Sequence, residues 1–369
     1  MGAKPTIRDV AARAGVSVAT VSRVFNNKEG VGGDVRRRVL ALADEMGYQP
    51  SPSARRLAEG RSDSLGFLVR YHRVLHAQDP FYSSILYAAE AVACRHGFHV
   101  VPLLVGESPL EQLQREISAG RFAGFLAAGP EVPDSLLETI RNRSTPLVLV
   151  DNRPDAGSGP PAVSSDDQAG ARLVVEHLLA HGYTDLACFT GPLSWPSSRD
   201  RYSGYAVAVQ AHQARGGDRV VSVGETTAAS GYEAFQRLWR ASGGRAGLPQ
   251  ALFCVNDAMA LGASRAAREK GLHLPEELAV VGFDDVPMAA EARPALTTVH
   301  IDTERIGSLA AEQLLRQLES GRVESTFTLV LVPVELVVRA SCGCSVAQRE
   351  TVGTPAGARS GGWQGRSVH

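Results

Sequence analysis

The segment Thr6–Asn26 constrains this chain more than any other. Thr6 and Asp9 have capping-box spacing, with Asp in place of the usual Glu. Val10, Ala11 and Ala14 then share one helical face, and Gly15 at the helix end permits a turn. Ser17 caps a second helix, on which Val21 and Val24 or Phe25 face inward at helical spacing. Val18, Ala19, Ser22 and Arg23 occupy its outer face. The residues at its start are small enough to enter a major groove, and Arg23 reaches base edges or phosphate. Short helix pairs joined by glycine also occur in proteins that touch no DNA. The pattern alone leaves both readings open.

Charge leans toward the first. Residues 1–62 hold eleven Lys/Arg against six Asp/Glu, a net of +5, while the whole chain is −1, so the remainder is −6. A basic head on an acidic body suits attraction to a polyanion at one end only; alone, such a charge run is equally a solvated face. No secretory signal is visible, because charges interrupt residues 1–25, and no apolar run is long enough to span a bilayer. A cytoplasmic protein is expected. Of the five cysteines, Cys94, Cys188 and Cys254 sit singly in apolar stretches and read as reduced core thiols. Cys342-Gly343-Cys344 has no Cys or His cluster beside it in the sequence, so no metal site is expected.

Three parts follow one another. The helical head spans 1–49 and ends with a third helix near Asp34–Met46, with Val35, Val39, Leu42 and Met46 inside and Gly47 as the stop. A linker spans 50–61. From 62 to 345, strand and helix alternate: Ser64–Arg70 (strand), Tyr82–His96 (helix), Phe98–Val105 (strand), Asp185–Thr190 (strand), Ser197–Arg215 (helix), Ala251–Val255 (strand), Ala258–Lys270 (helix) and Leu278–Phe283 (strand). Apolar runs such as Leu147–Val150 suit strands covered on both faces. Such alternation means parallel α/β sheets, and this length suits two sheets with a cleft between them. The tail 346–369 is rich in Gly, Ser, Thr and Arg and reads as disordered; it lacks the leucine heptads of a helical bundle.

The residues of Thr6–Asn26 resemble the N-terminal signature of the lactose/galactose repressor (LacI/GalR) family, T-I-x-D-V-A-x-x-A-G-V-S-x-x-T-V-S-R-V. The resemblance continues as Gly191-Pro192-Leu193, Ser197, Arg199, Arg201, Gly204 and Tyr205, as Val255–Gly262, and as Val280–Asp285. It implies an all-α DNA-binding head on a two-lobed, periplasmic-binding-protein-like body. The N-lobe is placed at about 62–165 and 301–331 and the C-lobe at about 166–300 and 332–345, with crossovers near Ser165, Ile301 and Val332. It implies DNA contacts from Thr6, Ser17, Val18, Ala19, Thr20, Ser22, Arg23 and Asn26. In the linker, Ser51-Pro52 reads as the start of a short helix, either an ordinary interdomain linker or a hinge helix that orders on DNA. The resemblance implies the hinge, with Arg55 and Arg56 near phosphates, Leu57 wedged into the minor groove and Ala58 beside it; Ser51 stands where the family usually has Asn, and Pro52 is unusual there. Val18 and Ala19 are apolar at the two base-reading positions, so shape readout gains weight. Gly32 stands where the family usually has a Ser cap, which leaves the third helix less firmly started or capped by Asp34.

Polar residues gather at strand ends, where open α/β sheets bind ligands. Asp151 ends one strand, Asn256 and Asp257 another, Asp284 and Asp285 a third, and Ser197, Arg199 and Arg201 follow a loop. Carboxylate, amide and guanidinium bracket vicinal hydroxyls, and Phe81, Tyr82 and Trp195 stack on an apolar ring face. The resemblance implies effector contacts from Phe81, Tyr82, Asp151, Ser197, Arg201, Asn256 and Asp284; Trp195 is a further candidate contact, or else packs under its loop. Asp257, Asp285 and Arg199 read as structural, and Asp166 as hinge or ligand contact. A sugar is favoured; a nucleobase co-repressor is the alternative, since aromatic stacking serves both. Thr226 stands where some members place an aromatic platform.

An enzyme is disfavoured: there is no Gly-x-Ser-x-Gly elbow, Walker loop or His-Glu-x-x-His, and Gly157–Ala162 lacks the strand-to-helix context of a dinucleotide loop. A solute-binding protein is disfavoured by the head and the missing signal. The expectation is a repressor that binds a near-palindromic DNA operator as a homodimer, needs no cofactor and touches no membrane. The apolar helix Ile85–Val92 is expected either to join the dimer interface or to cover its own sheet.

Overall fold

The computed structural model describes residues 5–25, 29–48, 62–70, 80–154, 159–217, 219–323 and 327–344. Asn26, the hinge residues Arg55, Arg56, Leu57 and Ala58, and the tail 346–369 lie outside the described residues, and so do the expectations placed on them.

The head is three helices, α1 (Ile7–Ala14), α2 (Val18–Phe25) and α3 (Gly33–Glu45). The Thr6 N–H and hydroxyl both donate to Asp9 Oδ2 at 2.7 Å, so a short Asp does the work of the longer Glu. Gly15 takes a left-handed φ of 63° and closes α1. The Thr20 N–H donates to Ser17 Oγ at 3.1 Å and caps α2. Val10, Ala14, Val21, Val24, Val39 and Ala43 make the core, and each buried valine contributes about 1.5–3 kcal/mol. Gly32 caps α3 without a side chain. Asp34 does not replace the missing Ser; it pairs with Arg37 instead.

The body begins with β1 (Ser64–Arg70), α4 (Phe81–Arg95), β2 (His99–Val105), α5 (Leu110–Ser118), β3 (Gly124–Ala128), α6 (Asp134–Asn142), β4 (Leu147–Val150) and β5 (Ala162–Ser165). It continues with α7 (Asp167–Ala180), β6 (Leu186–Thr190), α8 (Pro196–Ala211), β7 (Val220–Ser222), α9 (Ala228–Ala241), β8 (Ala251–Cys254), α10 (Asp257–Glu269), β9 (Ala279–Val281), α11 (Pro287–Glu291) and β10 (Thr298–Ile301). It ends with α12 (Thr303–Ser320), β11 (Leu329–Val332) and β12 (Val334–Val337).

Two parallel sheets result. One has six strands in the order β11-β5-β4-β3-β1-β2, the other four in the order β7-β6-β8-β9. A separate antiparallel pair joins β10 to β12. The chain leaves the six-stranded sheet after Ser165, returns through α12, and leaves it again after Val332. In each sheet the strand order reverses beside the first strand, between β1 and β3 and between β6 and β8. That reversal opens a crevice at the carboxyl ends of the strands. The strand interiors are apolar on both faces: all of β3, β4, β6 and β8 are buried. No helix among the described residues is long and apolar enough to cross a membrane.

Several expectations are corrected. The helix expected to reach Arg215 stops at Ala211, because Gln213 turns left-handed at φ 52° and Arg215 bridges to Asp185 beside the sheet. Ile85, Ala89 and Val92 pack inside their own lobe; on that stretch it is Tyr87 that is exposed, at 71%. Cys188 and Cys254 are core thiols, but Cys94 is exposed and donates to Glu90 Oε1 at 2.9 Å. Cys342 and Cys344 have no histidine near them in the sequence, yet the fold sets His177 beside both.

Candidate functional site

Between the two parallel sheets lies a narrow cleft that opens to solvent. Phe81, Tyr82, Asp151, Trp195, Ser197, Arg201, Asn256 and Asp284 all line it, together with Pro130, Ser198, Thr226 and Val255. They come from the ends of strands in both sheets and the helices that follow them, which is how residues up to 203 apart in the chain meet.

Arg201 is the cleft's central charge. It projects from the second turn of α8, whose entry is set by Trp195 at the N-cap and Pro196 at the first helical position. Its Nε donates to Asp167 Oδ1 at 2.8 Å, and its Nη1 to Asp284 Oδ1 at 2.8 Å and to the Val255 carbonyl at 2.6 Å. The guanidinium also lies over the Phe283 ring, 4.0 Å from the centroid. Burial alone would favour losing the proton. The carboxylates of Asp167, Asp284 and Asp151 outweigh it and raise the pKa, so the side chain stays charged.

The facing carboxylate is Asp151. It follows β4 with a left-handed φ of 50°, and accepts the Tyr82 hydroxyl at 2.6 Å. Tyr82 starts α4 and meets Phe81 edge to face, with ring centroids 5.0 Å apart. Asp284 also has positive φ, at 108°, and its N–H donates to the Val299 carbonyl at 2.9 Å. Non-glycine residues held at positive φ cost about 1–3 kcal/mol each and gather at functional sites. Two of them here are the acids that line the cleft.

Asn256 is committed on both sides. Its Oδ1 accepts from the Met259 N–H at 2.9 Å and caps α10, and its Nδ2 donates to the Thr226 carbonyl at 2.9 Å. It fixes the cleft wall as much as it lines it. Asp257 points away from the cleft: it accepts from Thr298 Oγ1 at 2.6 Å and from the Val286 N–H at 3.0 Å. Its complete burial pushes its pKa up to about 7. Asp285 accepts from Arg339 Nη2 at 2.6 Å and faces His300 Nδ1 at 3.1 Å. Arg199 lies 3.9 Å from Asp200. Asp166 caps α7 by accepting from the Ala169 N–H. The carboxylate that reaches into the site is its neighbour Asp167, which the sequence reading missed; the Asp-Asp pair at a crossover was the available signal.

Two motif glycines are explained by packing. A Cβ on Gly204 would stand 2.3 Å from the Gln168 carbonyl, where α8 crosses α7, and one on Gly262 would stand 1.9 Å from the Ala228 carbonyl, where α10 crosses α9. Both crossings hold the helices that carry Arg201 and follow Asn256.

In the head, Val18, Ala19 and Arg23 of α2 are exposed while Val21 and Val24 are buried. Thr6 and Ser17 are exposed with their hydroxyls engaged in caps, and Thr20 and Ser22 are half-buried. The outer face of α2 is therefore a small, apolar strip ending in a cation.

A helix-turn-helix head carried by two parallel-sheet lobes around a polar cleft is the architecture of a ligand-responsive DNA-binding regulator. Comparison with known proteins agrees. The model of bacterial regulatory proteins of the lacI family matches residues 6–51, and that of the periplasmic binding protein-like domain matches residues 175–342. The chain is 30% identical over 344 residues to the HTH-type transcriptional repressor PurR of Haemophilus influenzae strain PittEE, covering 91% of this chain and 98% of the relative. Among solved structures it is similar to the lac repressor dimer bound to operator and the anti-inducer ONPF (29% identity, TM-score 0.71, 92% of this chain and 99% of that one). It is also similar to a complex of the transcriptional regulator CelR with cellobiose (28% identity, TM-score 0.69, 91% and 99%). The chain belongs to the lacI family: it is a DNA-binding transcriptional repressor, not an enzyme.

Proposed function

We propose that the cleft binds a small sugar and that the bound sugar changes the repressor's affinity for a near-palindromic operator. The observation that carries this reading is the convergence of Asp151, Arg201 and Asp284 on one cavity. Two carboxylates accept from neighbouring hydroxyls while the guanidinium donates to them. Phe81 and Tyr82 stand edge to face with each other, so they form no parallel sandwich for a flat base; Trp195, half-exposed at the cleft mouth, offers a single platform. The cellobiose complex of a similar regulator supports a sugar. A nucleobase is the second reading, because Trp195 and Asn256 would serve a purine face and edge as well.

In this reading residues 1–49 read the major groove through Ser17, Val18, Ala19, Thr20, Ser22 and Arg23, with Thr6 near phosphate. Residues 62–345 bind effector and pair with a second copy, in the cytoplasm. Both lobes contribute to the cleft, so a ligand that favours one lobe angle shifts the spacing of the two heads. A thermal-shift panel of mono- and disaccharides, with nucleobases alongside, tests it. A sugar that raises Tm by mass action supports the reading. A response to purines with none to sugars overturns it.

A further inference from the structure

At the end of α7 remote from Arg201's partner Asp167, the fold assembles four metal-binding side chains that the effector cleft does not use. His177 and His181 are one helical turn apart on α7 and its C-cap, with ring centroids 4.4 Å apart. Cys342 and Cys344 arrive from the C-terminal end of the body, about 165 residues away. His177 Nε2 lies 3.4 Å from Cys342 Sγ and 3.2 Å from Cys344 Sγ, and the two sulfurs are 3.1 Å apart. His177, Cys342 and Cys344 are all buried. Donor atoms of His177, His181 and Cys344 lie within 4.8 Å of one another, whereas Cys342 falls outside that set, so His181 must turn toward the sulfurs to share an ion with both.

The surroundings orient the donors. His181 Nδ1 lies 2.7 Å from the His177 carbonyl; as the N–H donor there, it leaves Nε2 as the ligand atom. Gly343 takes φ 80°, and a Cβ on it would stand 2.8 Å from Tyr183 Oη. That turn brings both flanking sulfurs to one side, and Tyr183 holds it by donating to the Cys342 carbonyl at 3.0 Å. A circle through the three closest donor atoms has a radius of roughly 1.9 Å. An ion at ordinary zinc distances, roughly 2.0–2.3 Å, would sit about 1 Å out of their plane, on the side left for a fourth ligand.

We propose that Cys342, Cys344, His177 and His181 form a thiolate–imidazole site for a transition-metal ion of the zinc class. The ion ties the last described turn of the body to α7, the helix whose first residue holds Arg201. Two thiolates and two imidazoles match the tetrahedral preference of zinc and disfavour magnesium or calcium, which take oxygen ligands.

The test uses the full chain, reduced and chelator-stripped, with Cys94→Ser as background because Glu90, Cys94 and His99 form a second, exposed donor group. Co(II) is titrated anaerobically and then displaced with Zn(II). The proposal expects one equivalent per chain, the strong visible bands of tetrahedral Co(II), thiolate-to-metal charge transfer, and a Tm raised by Zn(II). Adding Cys344→Ser removes half the charge transfer and weakens binding about a hundredfold; His181→Ala weakens it about tenfold or more. His181 is half-exposed, so that variant decides the matter if Cys344→Ser does not fold. Weak octahedral spectra, sub-stoichiometric binding, a Cys342–Cys344 disulfide that persists under reduction, or affinity unchanged in the folded variants would overturn the proposal.

Discussion

Arg201 Nη1 lies 2.8 Å from Asp284 Oδ1, and both side chains are more than nine-tenths buried. The same guanidinium holds Asp167 through Nε. One cation thus joins the start of α7, the helix α8 and the loop after β9. Removing it strands two buried carboxylates. Arg201→Ala is expected to lower unfolding free energy by about 3–5 kcal/mol, read as a shift of the urea midpoint. Arg201→Lys keeps the charge without the fork, and is expected to recover only part of the loss. An Ala variant as stable as the parent would show that the three-way tie contributes nothing.

Asp257 gives the fold a pH dependence of known sign. Its folded pKa, about 7, lies above the ordinary 3.8. Between those values the folded chain keeps a proton that the unfolded chain has released, so this residue's contribution to stability falls as pH rises through that window. Asp257→Asn, which can still accept from Val286 N–H and donate to Thr298 Oγ1, removes the titration. The Tm difference between variant and parent should therefore move in the variant's favour from pH 5 to pH 8. A constant difference would contradict this.

Gly204 tests how closely α7 and α8 must approach. Its Cβ would collide with the Gln168 carbonyl, which is backbone and cannot swing aside. Gly204→Ala is expected to cost about 1–3 kcal/mol. Gly182→Ala is a poor control because φ there is positive, whereas Gly217, with nothing within 4 Å and no positive φ, is a suitable one. Equal stability of the Gly204 and Gly217 variants would remove the packing argument.

Arg23 is the exposed cation on the outer face of α2. Arg23→Ala should weaken operator binding, and if the contact is to phosphate the slope of log K against log salt should fall by about one. An unchanged slope with lost discrimination between operator and scrambled duplex would place Arg23 on a base instead. No change in either would remove it from the interface.

What was legible in the sequence was local. The capping pairs Thr6/Asp9 and Ser17/Thr20 could be read because their partners lie three residues away. The strand–helix alternation defined the two parallel sheets, and strand-end polar residues identified one cleft. Where reading failed, a one-residue choice or a long-range partner decided. Asp166 and Asp167 are indistinguishable by type, and helix geometry turns only the second toward Arg201. The stripe Ile85–Val92 is apolar whether it faces a partner or its own sheet, and only the fold reveals α12 packed against it, with Gly307 under the Ile85 carbonyl. His177 and Cys342 are separated by 165 residues, beyond any spacing rule.

Control of DNA binding by a ligand in the cleft can be measured at the operator. The direct measurement is operator affinity by fluorescence anisotropy, with a duplex selected from a random pool by the full chain, titrated with the sugar that raises Tm. Operator affinity is expected to change about tenfold or more, a coupling of roughly 1–3 kcal/mol, and the change to be lost in Asp284→Asn while operator binding without sugar persists. An affinity that no sugar moves, or a response that survives in Asp284→Asn, would contradict it.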